Sequence, residues 1–158
     1  MPEDHRPFRA NYLISGVGAE RIFAALLDVR RFPEWAVGLR RSRALDPAGK
    51  VETKDVRPGV RLEFTLSAAG LTHEVASNVT VVEPPHRLEW NYVEGAQGDG
   101  GWIVEEEGSK TVRMTLWTHY RIRPPWLDKL AHKPFFRRLT EDLLRRSMRR
   151  FAAHLRKG

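Results

Sequence analysis

The side chains in this sequence that can do chemistry are hydroxyls, phenols and imidazoles set among apolar neighbours, rather than a cluster of charges. Tyr92 and Tyr120 carry phenols able to donate to a quinone or ketone oxygen, although in a core such an OH commonly finds a structural partner or water. Thr118, Thr140 and Ser147 interrupt otherwise apolar stripes and can orient a ligand. In a helix, Thr and Ser also bond back to the carbonyl one turn earlier, so Thr140 and Ser147 have a structural reading too. The histidines are His5, His73, His86, His119, His132 and His154; none has HExxH or another metal-ligand spacing. No metal and no cofactor is therefore expected. His73 shares strand parity with Val75 and Val79, which leaves an acid–base role open, whereas His119 has the parity opposite Met114 and Leu116 and is placed outside. Cysteine is absent, which removes thiol nucleophiles, disulfides and thiolate metal sites. Glu105, Glu106 and Glu107 read as a solvated hairpin end. The stretch Gly95 to Gly101 lacks the Lys-Ser/Thr of a phosphate loop and reads as a glycine-rich hairpin loop. No GxSxG or dinucleotide fingerprint occurs.

Aromatic and aliphatic side chains surround these groups. Trp90 and Tyr92 share one strand face, and Trp102, Met114, Leu116 and Tyr120 can join them. With Phe136, Leu143 and Phe151 from a helix, they would either fill a core or line a pocket for a flat or isoprenoid ligand.

The elements that position these residues follow from periodicity. Asn11–Val17 reads as a first strand. From Ala19, the residues Ile22, Phe23, Leu26 and Leu27 recur at helical spacing, with Gly18 able to cap and Glu20 in the first turn. Pro33 fits the first position of a second short helix that leads to Trp35. From Leu39 to Ile122 only strands and turns appear. In Val60–Ala68, Val60, Leu62, Phe64 and Leu66 share a face, while Arg61, Glu63, Thr65 and Ser67 share the other. Further strands are read at Leu71–Val82, Arg87–Glu94, Trp102–Glu107 and Thr111–Ile122, and short hairpin connections make the sheet antiparallel. After Arg123-Pro124-Pro125 the period turns helical, with a short helix at Trp126–Ala131 and a long one at Pro134–Arg156. On that long helix Phe136, Thr140, Leu143, Leu144, Ser147, Phe151 and Leu155 fall in one arc, and Arg138, Arg145, Arg146, Arg149, Arg150 and Arg156 fall opposite.

Several stretches in this order resemble the START/Bet v 1-like (SRPBCC) superfamily, and within it the polyketide cyclase/dehydrase and coenzyme-Q-binding group. They are Val17-Gly18-Ala19-Glu20-Arg21-Ile22-Phe23, Leu27-Asp28 with Phe32-Pro33-Glu34-Trp35, Pro58-Gly59-Val60-Arg61, and Val81 to Trp90 (VVEPPHRLEW). The likeness spans roughly residues 10–156, and the whole chain 1–158 is read as one such domain. It implies an α+β helix-grip fold: a curved antiparallel sheet of about seven strands around a long C-terminal helix, with two short helices after the first strand. It also implies a hydrophobic cavity in the palm, and binding or transport of a lipid, quinone or polyketide-like molecule there. The lining expected from the sheet side is Leu62, Phe64, Trp90, Tyr92, Trp102, Met114, Leu116, Thr118 and Tyr120, with Trp35 near the rim. Phe136, Thr140, Leu143 and Ser147 are expected from the helix, while Trp126–Lys133 and the glycine-rich hairpin would gate the entrance. The rival reading is a cofactor-free cyclase or dehydratase. Enzymes of that kind tend to hold an enolate with a buried Arg or an acid–base pair, and here Arg61 and Arg113 lie opposite the apolar stripes.

The 158 residues suit one domain with a sizeable core, and 41% hydrophobic content is a globular value. No apolar run approaches the roughly 20 residues of a membrane span, and MPEDHRPFRA has no secretory h-region, so the expected location is the cytoplasm. Charge is segregated. Residues 121–158 hold 12 of the 27 Lys and Arg but 3 of the 20 Asp and Glu, giving +9 there against −2 for the first 120 residues. That excess is either a solvated face or a surface for anionic lipid. The basic face of the long helix has no interleaved aromatics, which sets nucleic acid below lipid as a partner. Ligand identity and oligomeric state are not encoded in any motif.

Overall fold

The computed structural model describes residues 6–157, with side chains from Phe8 onward; His5 lies outside the described residues. Seven strands, β1 (Arg6–Ser15), β2 (Leu39–Leu45), β3 (Arg61–Ala68), β4 (Leu71–Glu83), β5 (Arg87–Glu94), β6 (Ala96–Glu106) and β7 (Thr111–Ile122), form one sheet in the order β1-β7-β6-β5-β4-β3-β2. Every neighbouring pair is antiparallel. Between β1 and β2 lie α1 (Ala19–Leu27) and a 3₁₀ turn (Val29–Glu34); after β7 come α2 (Pro125–Ala131) and α3 (Pro134–Lys157). This is the α+β helix-grip arrangement expected from the element order.

Three boundaries differ from the expectation, each for a local reason. First, β1 begins at Arg6 rather than Asn11, because it pairs without interruption along β7 from Arg6↔Tyr120 to Ser15↔Thr111. It ends before Val17 because Gly16 turns away at φ +81. Second, Pro33 does not start a helix. It sits inside a 3₁₀ turn already opened by Arg31 N–H donating to the Asp28 carbonyl. Third, Gly95–Gly101 is not a hairpin loop. β6 starts at Ala96, where Ala96–Gly98 pair with β7 alone; from Asp99 onward the strand pairs with both β5 and β7, the β5–β6 ladder ending at Asn91↔Asp99. Backbone ladders hold a strand that its side chains alone would not specify.

The core gathers at one end of the grip. Ile22, Phe23 and Leu26 of α1 are essentially buried, as are Val60, Val104, Met114 and Phe151. Trp35 meets Phe151 edge-on with ring centroids 4.6 Å apart, and Phe32 lies 5.0 Å from Trp35. Burying side chains of this size contributes about 1.5–3 kcal/mol each. On α3, only Ser147, Met148, Phe151 and Leu155 are buried, all in its C-terminal half. That half is also tied down by polar contacts. Val37 N–H donates to Ser147 Oγ at 2.8 Å, Arg150 donates to the Glu34 carbonyl and Arg156 to the Ser15 carbonyl. The first three turns of α3 have no buried residue.

Candidate functional site

The inner face of the sheet is set by register. Ser42↔Phe64, Phe64↔Val75 and Leu66↔His73 face inward from β2 to β4. Ser77↔Tyr92, Val79↔Trp90, Leu88↔Trp102 and Trp102↔Leu116 carry that face across the middle, and Tyr12↔Met114 and Phe8↔Thr118 complete it on β1. Of these side chains Ser42, Ser77, Val79, Leu88, Trp102, Met114 and Thr118 are buried, while Phe64, Val75, Trp90, Tyr92, Leu116 and Tyr120 are part-buried and Leu66 is 43% exposed. On α3, Phe136, Leu139, Leu143 and Leu144 are part-buried as well.

The expected lining therefore divides. Leu62, Trp102 and Met114 are buried in the core, and Trp35 is 5% exposed and packed on Phe151 rather than at a rim. Ser147 is buried with its hydroxyl committed twice, accepting from Val37 N–H and donating to the Leu143 carbonyl at 2.7 Å. Thr140 is exposed and donates to the Phe136 carbonyl at 2.9 Å. Phe64, Trp90, Tyr92, Leu116, Tyr120, Phe136 and Leu143 are part-buried and Thr118 is buried; Phe64, Trp90 and Leu116 pack against the core, Phe64 stacking on Phe32 at 6.1 Å.

The polar centre of the inner face is a relay across three strands. Tyr92 on β5 reaches over β6, and its OH lies 2.9 Å from Thr118 Oγ1 on β7; Thr118 in turn donates to the Asp99 carbonyl at 3.1 Å. Two strand spacings are about 10 Å, so the path must be clear of side chains. It is clear because Gly98 and Gly100 occupy the inward positions of β6. A Cβ at Gly100 would lie 3.0 Å from Trp90 Nε1, and one at Gly98 (φ +115) would strike the His119 carbonyl. The glycines read as a loop thus form the bare floor on which two aromatics lie. Burial pushes the Tyr92 phenol above its ordinary pKa, with the Thr118 hydrogen bond pulling the other way. The phenol is a neutral donor and acceptor at neutral pH.

Other candidates resolve plainly. His73 faces inward and its Nε2 lies 2.8 Å from the Gly95 carbonyl, so Nε2 carries the proton and Nδ1 is the basic nitrogen. His119 is exposed, as its parity implied. Arg61 is ion-paired to Glu63 at 2.8 Å and Glu94 at 2.9 Å, and Arg113 to Glu107 at 2.7 Å, all away from the inner face. One inward group escaped the reading of the sequence. Tyr12 OH is buried without a hydrogen-bond partner in the structure. The signal was present, since Tyr12 alternates in register with the buried Ile14.

A cavity of about 260 Å³ opens between the β1 edge and α3, lined by Phe8, Tyr120, Ala131, His132, Arg137, Thr140 and Glu141. At its wall the Tyr120 ring stacks on His132 at 5.6 Å, and Asp128 Oδ1 holds both His132 Nε2 (3.1 Å) and the Ile122 N–H (2.9 Å). The volume is just under the roughly 300 Å³ at which small-molecule sites begin. Of the glycine-rich stretch, Ala96–Gly98 pair with β7 and Asp99–Gly101 with both β5 and β7.

A curved sheet gripping a half-docked helix, with an aromatic and phenolic palm, defines the helix-grip class. The sequence matches the family model described as polyketide cyclase / dehydrase and lipid transport over residues 13–156, and the chain belongs to that family. No curated protein matches the sequence. Among solved structures, the fold is similar to the Zhui aromatase/cyclase from Streptomyces sp. R1128, with TM-score 0.72 at 10% identity over 96% of this chain and 94% of that one. It is also similar to a START superfamily protein from Mycobacterium smegmatis (TM-score 0.69, 10% identity, 96% and 97% covered). A third is ginseng major latex-like protein 151 from Panax ginseng (TM-score 0.63, 13% identity, 94% and 96% covered). At these identities the likeness is one of fold. Among the described residues no helix is long and apolar enough to cross a membrane.

Proposed function

We propose that this protein binds a hydrophobic small molecule of lipid, quinone or polyketide type between the open half of the sheet and the N-terminal half of α3. The observation that carries the reading is the asymmetry of α3. Its C-terminal half is buried and hydrogen-bonded, while its first three turns carry no buried residue and Phe136, Leu139, Leu143 and Leu144 there stay part-exposed. Filling that space would remove apolar surface from water, at about 25 cal/mol per Å² before association costs. The Tyr92 phenol spends its proton on Thr118, whose own goes to the Asp99 carbonyl, so it offers a ligand an acceptor, while the unpartnered Tyr12 OH keeps a proton to donate to a ligand oxygen. Native mass spectrometry of the purified protein should reveal an extractable apolar ligand, and lipids, quinones or aromatic polyketides should raise the melting temperature. Protein that carries nothing and responds to none of them overturns the reading.

His73 supports a second reading, a cofactor-free cyclase or dehydratase. It is an imidazole on the inner face, held in one tautomer by the Gly95 carbonyl, which leaves the Nδ1 lone pair to accept a proton from a substrate. Substrate turnover by the wild type that is lost in His73→Gln with ligand binding retained would establish it; binding without turnover leaves the carrier reading alone.

A further inference from the structure

Of the large apolar side chains exposed among the described residues, Leu13, Val51, Leu66 and Val93 are scattered over four separate segments. The two aromatic ones are not scattered. Trp126, 60% exposed, opens α2, and Phe135, 66% exposed, opens α3. The short hairpin between them carries exposed Lys129 and Lys133, flanked by exposed Arg123, Arg137 and Arg138. Its one carboxylate, Asp128, is turned inward to the Ile122 N–H and His132. From Arg121 to Leu139 there is no Asn, Gln, Ser or Thr. The surface thus offers bulky apolar groups and cations and almost nothing else.

We propose that the α2–α3 hairpin is a docking surface for an anionic lipid bilayer, with Trp126 and Phe135 entering the interface and Lys129, Lys133 and the flanking arginines meeting the headgroups. The chemistry matches on both counts. Trp settles at the level of headgroups, and each basic side chain near an anionic leaflet adds favourable energy that salt screens. A nucleic acid is a poorer match. Its bases are read in part by Asn, Gln, Ser and Thr, and this hairpin carries none of them. The position adds weight, since α2 and the start of α3 also wall the cavity beside Phe8 and Tyr120. The inference stands on this surface and does not need a ligand in the palm.

Sedimentation with phosphatidylcholine vesicles, with and without phosphatidylglycerol, tests it. The wild type should pellet with the anionic vesicles at low salt, and not with phosphatidylcholine alone or at high salt. Replacing both aromatics (Trp126→Ser with Phe135→Ser), or both lysines (Lys129→Glu with Lys133→Glu), should weaken binding by about tenfold or more, with circular dichroism and melting temperature unchanged. Trp126→Phe should keep the pelleting and abolish the blue shift of tryptophan emission on binding. Absence of pelleting overturns the proposal, as does a serine variant that pellets like wild type, because charge alone would then suffice. A dimer in solution that the serine pair dissolves would assign the surface to a second copy. Single-stranded RNA bound more tightly than anionic vesicles would assign it to nucleic acid. Ligand binding in vesicle-free solution is measured separately, so either reading can fail alone.

Discussion

Tyr92 and Thr118 lie on strands that are not neighbours, yet their hydroxyls meet at 2.9 Å across the interior strand β6. The contact exists because that strand shows glycine to the inside where the phenol crosses. It is both a cross-brace of the sheet and the polar feature of the open palm.

A side chain on the floor should break this arrangement. Gly100→Val places methyl groups where Trp90 Nε1 already lies 3.0 Å from an added Cβ. The expected cost is about 1–3 kcal/mol of overpacking, read as a lower urea midpoint with unchanged slope. Apolar-ligand binding should fall more than stability does, because Trp90 must leave the palm.

Thr118→Val removes a hydrogen bond that favours the ionised phenol, so Tyr92 should titrate at still higher pH, followed by ultraviolet absorbance at alkaline pH. The linkage has a definite sign. A phenol whose folded pKa is raised binds its proton more tightly in the native state. The stability this represents is complete below the unfolded value of about 10 and is lost as pH rises through the folded value. Tyr92→Phe should abolish that part of the alkaline decline.

The acid side belongs to Glu63. The Arg61 hydrogen bond, helped by Arg43, holds its carboxyl below the ordinary range. A depressed carboxylate gives stability that is present above the unfolded pKa of about 4.3 and disappears as pH falls through the folded one. Glu63→Gln should therefore be less stable than wild type at neutral pH and converge with it in acid. Urea midpoints at neutral and acid pH check this; parallel curves would refute it.

Ser147→Ala separates anchoring from ligand contact. It leaves the Val37 N–H without its acceptor, and about 1–3 kcal/mol should be lost. The affinity for whatever raises the melting temperature of the wild type should be unchanged, because the Ser147 hydroxyl is already committed at both ends. Leu143→Ala should do the reverse, weakening binding with a smaller effect on stability.

Much of this was legible in the residues. The switch from helical to alternating and back to helical spacing gave the element order, and the alternation in β3 and β7 gave the inner face. The failures share one cause, which is that some positions are decided by neighbours distant in sequence. Residues 95–101 carry turn chemistry locally, and pairing with β7 from Ala96, joined by β5 from Asp99 on, makes them a strand. Trp35 is a surface-turn residue by its neighbours in sequence, and Phe151, more than a hundred residues on, makes it core. Ser147 and Leu143 share one helical arc, and periodicity cannot say which sits over packed core and which over the open palm. Tyr12 was readable from its alternation with Ile14 and was missed.

The half-docked helix has a mechanical consequence. From the Ser147 clamp to Phe136 the free arm of α3 is about 16 Å long at 1.5 Å per residue, so a tilt of about 10° about that pivot swings the Phe136 end by about 3 Å. The C-terminal half, pinned by Arg150 and Arg156 to carbonyls of other elements, would stay in place. Such a tilt would enlarge the opening beside β1 without unpacking the core, and if the proposed ligand binds there it would let one fold take guests of different girth.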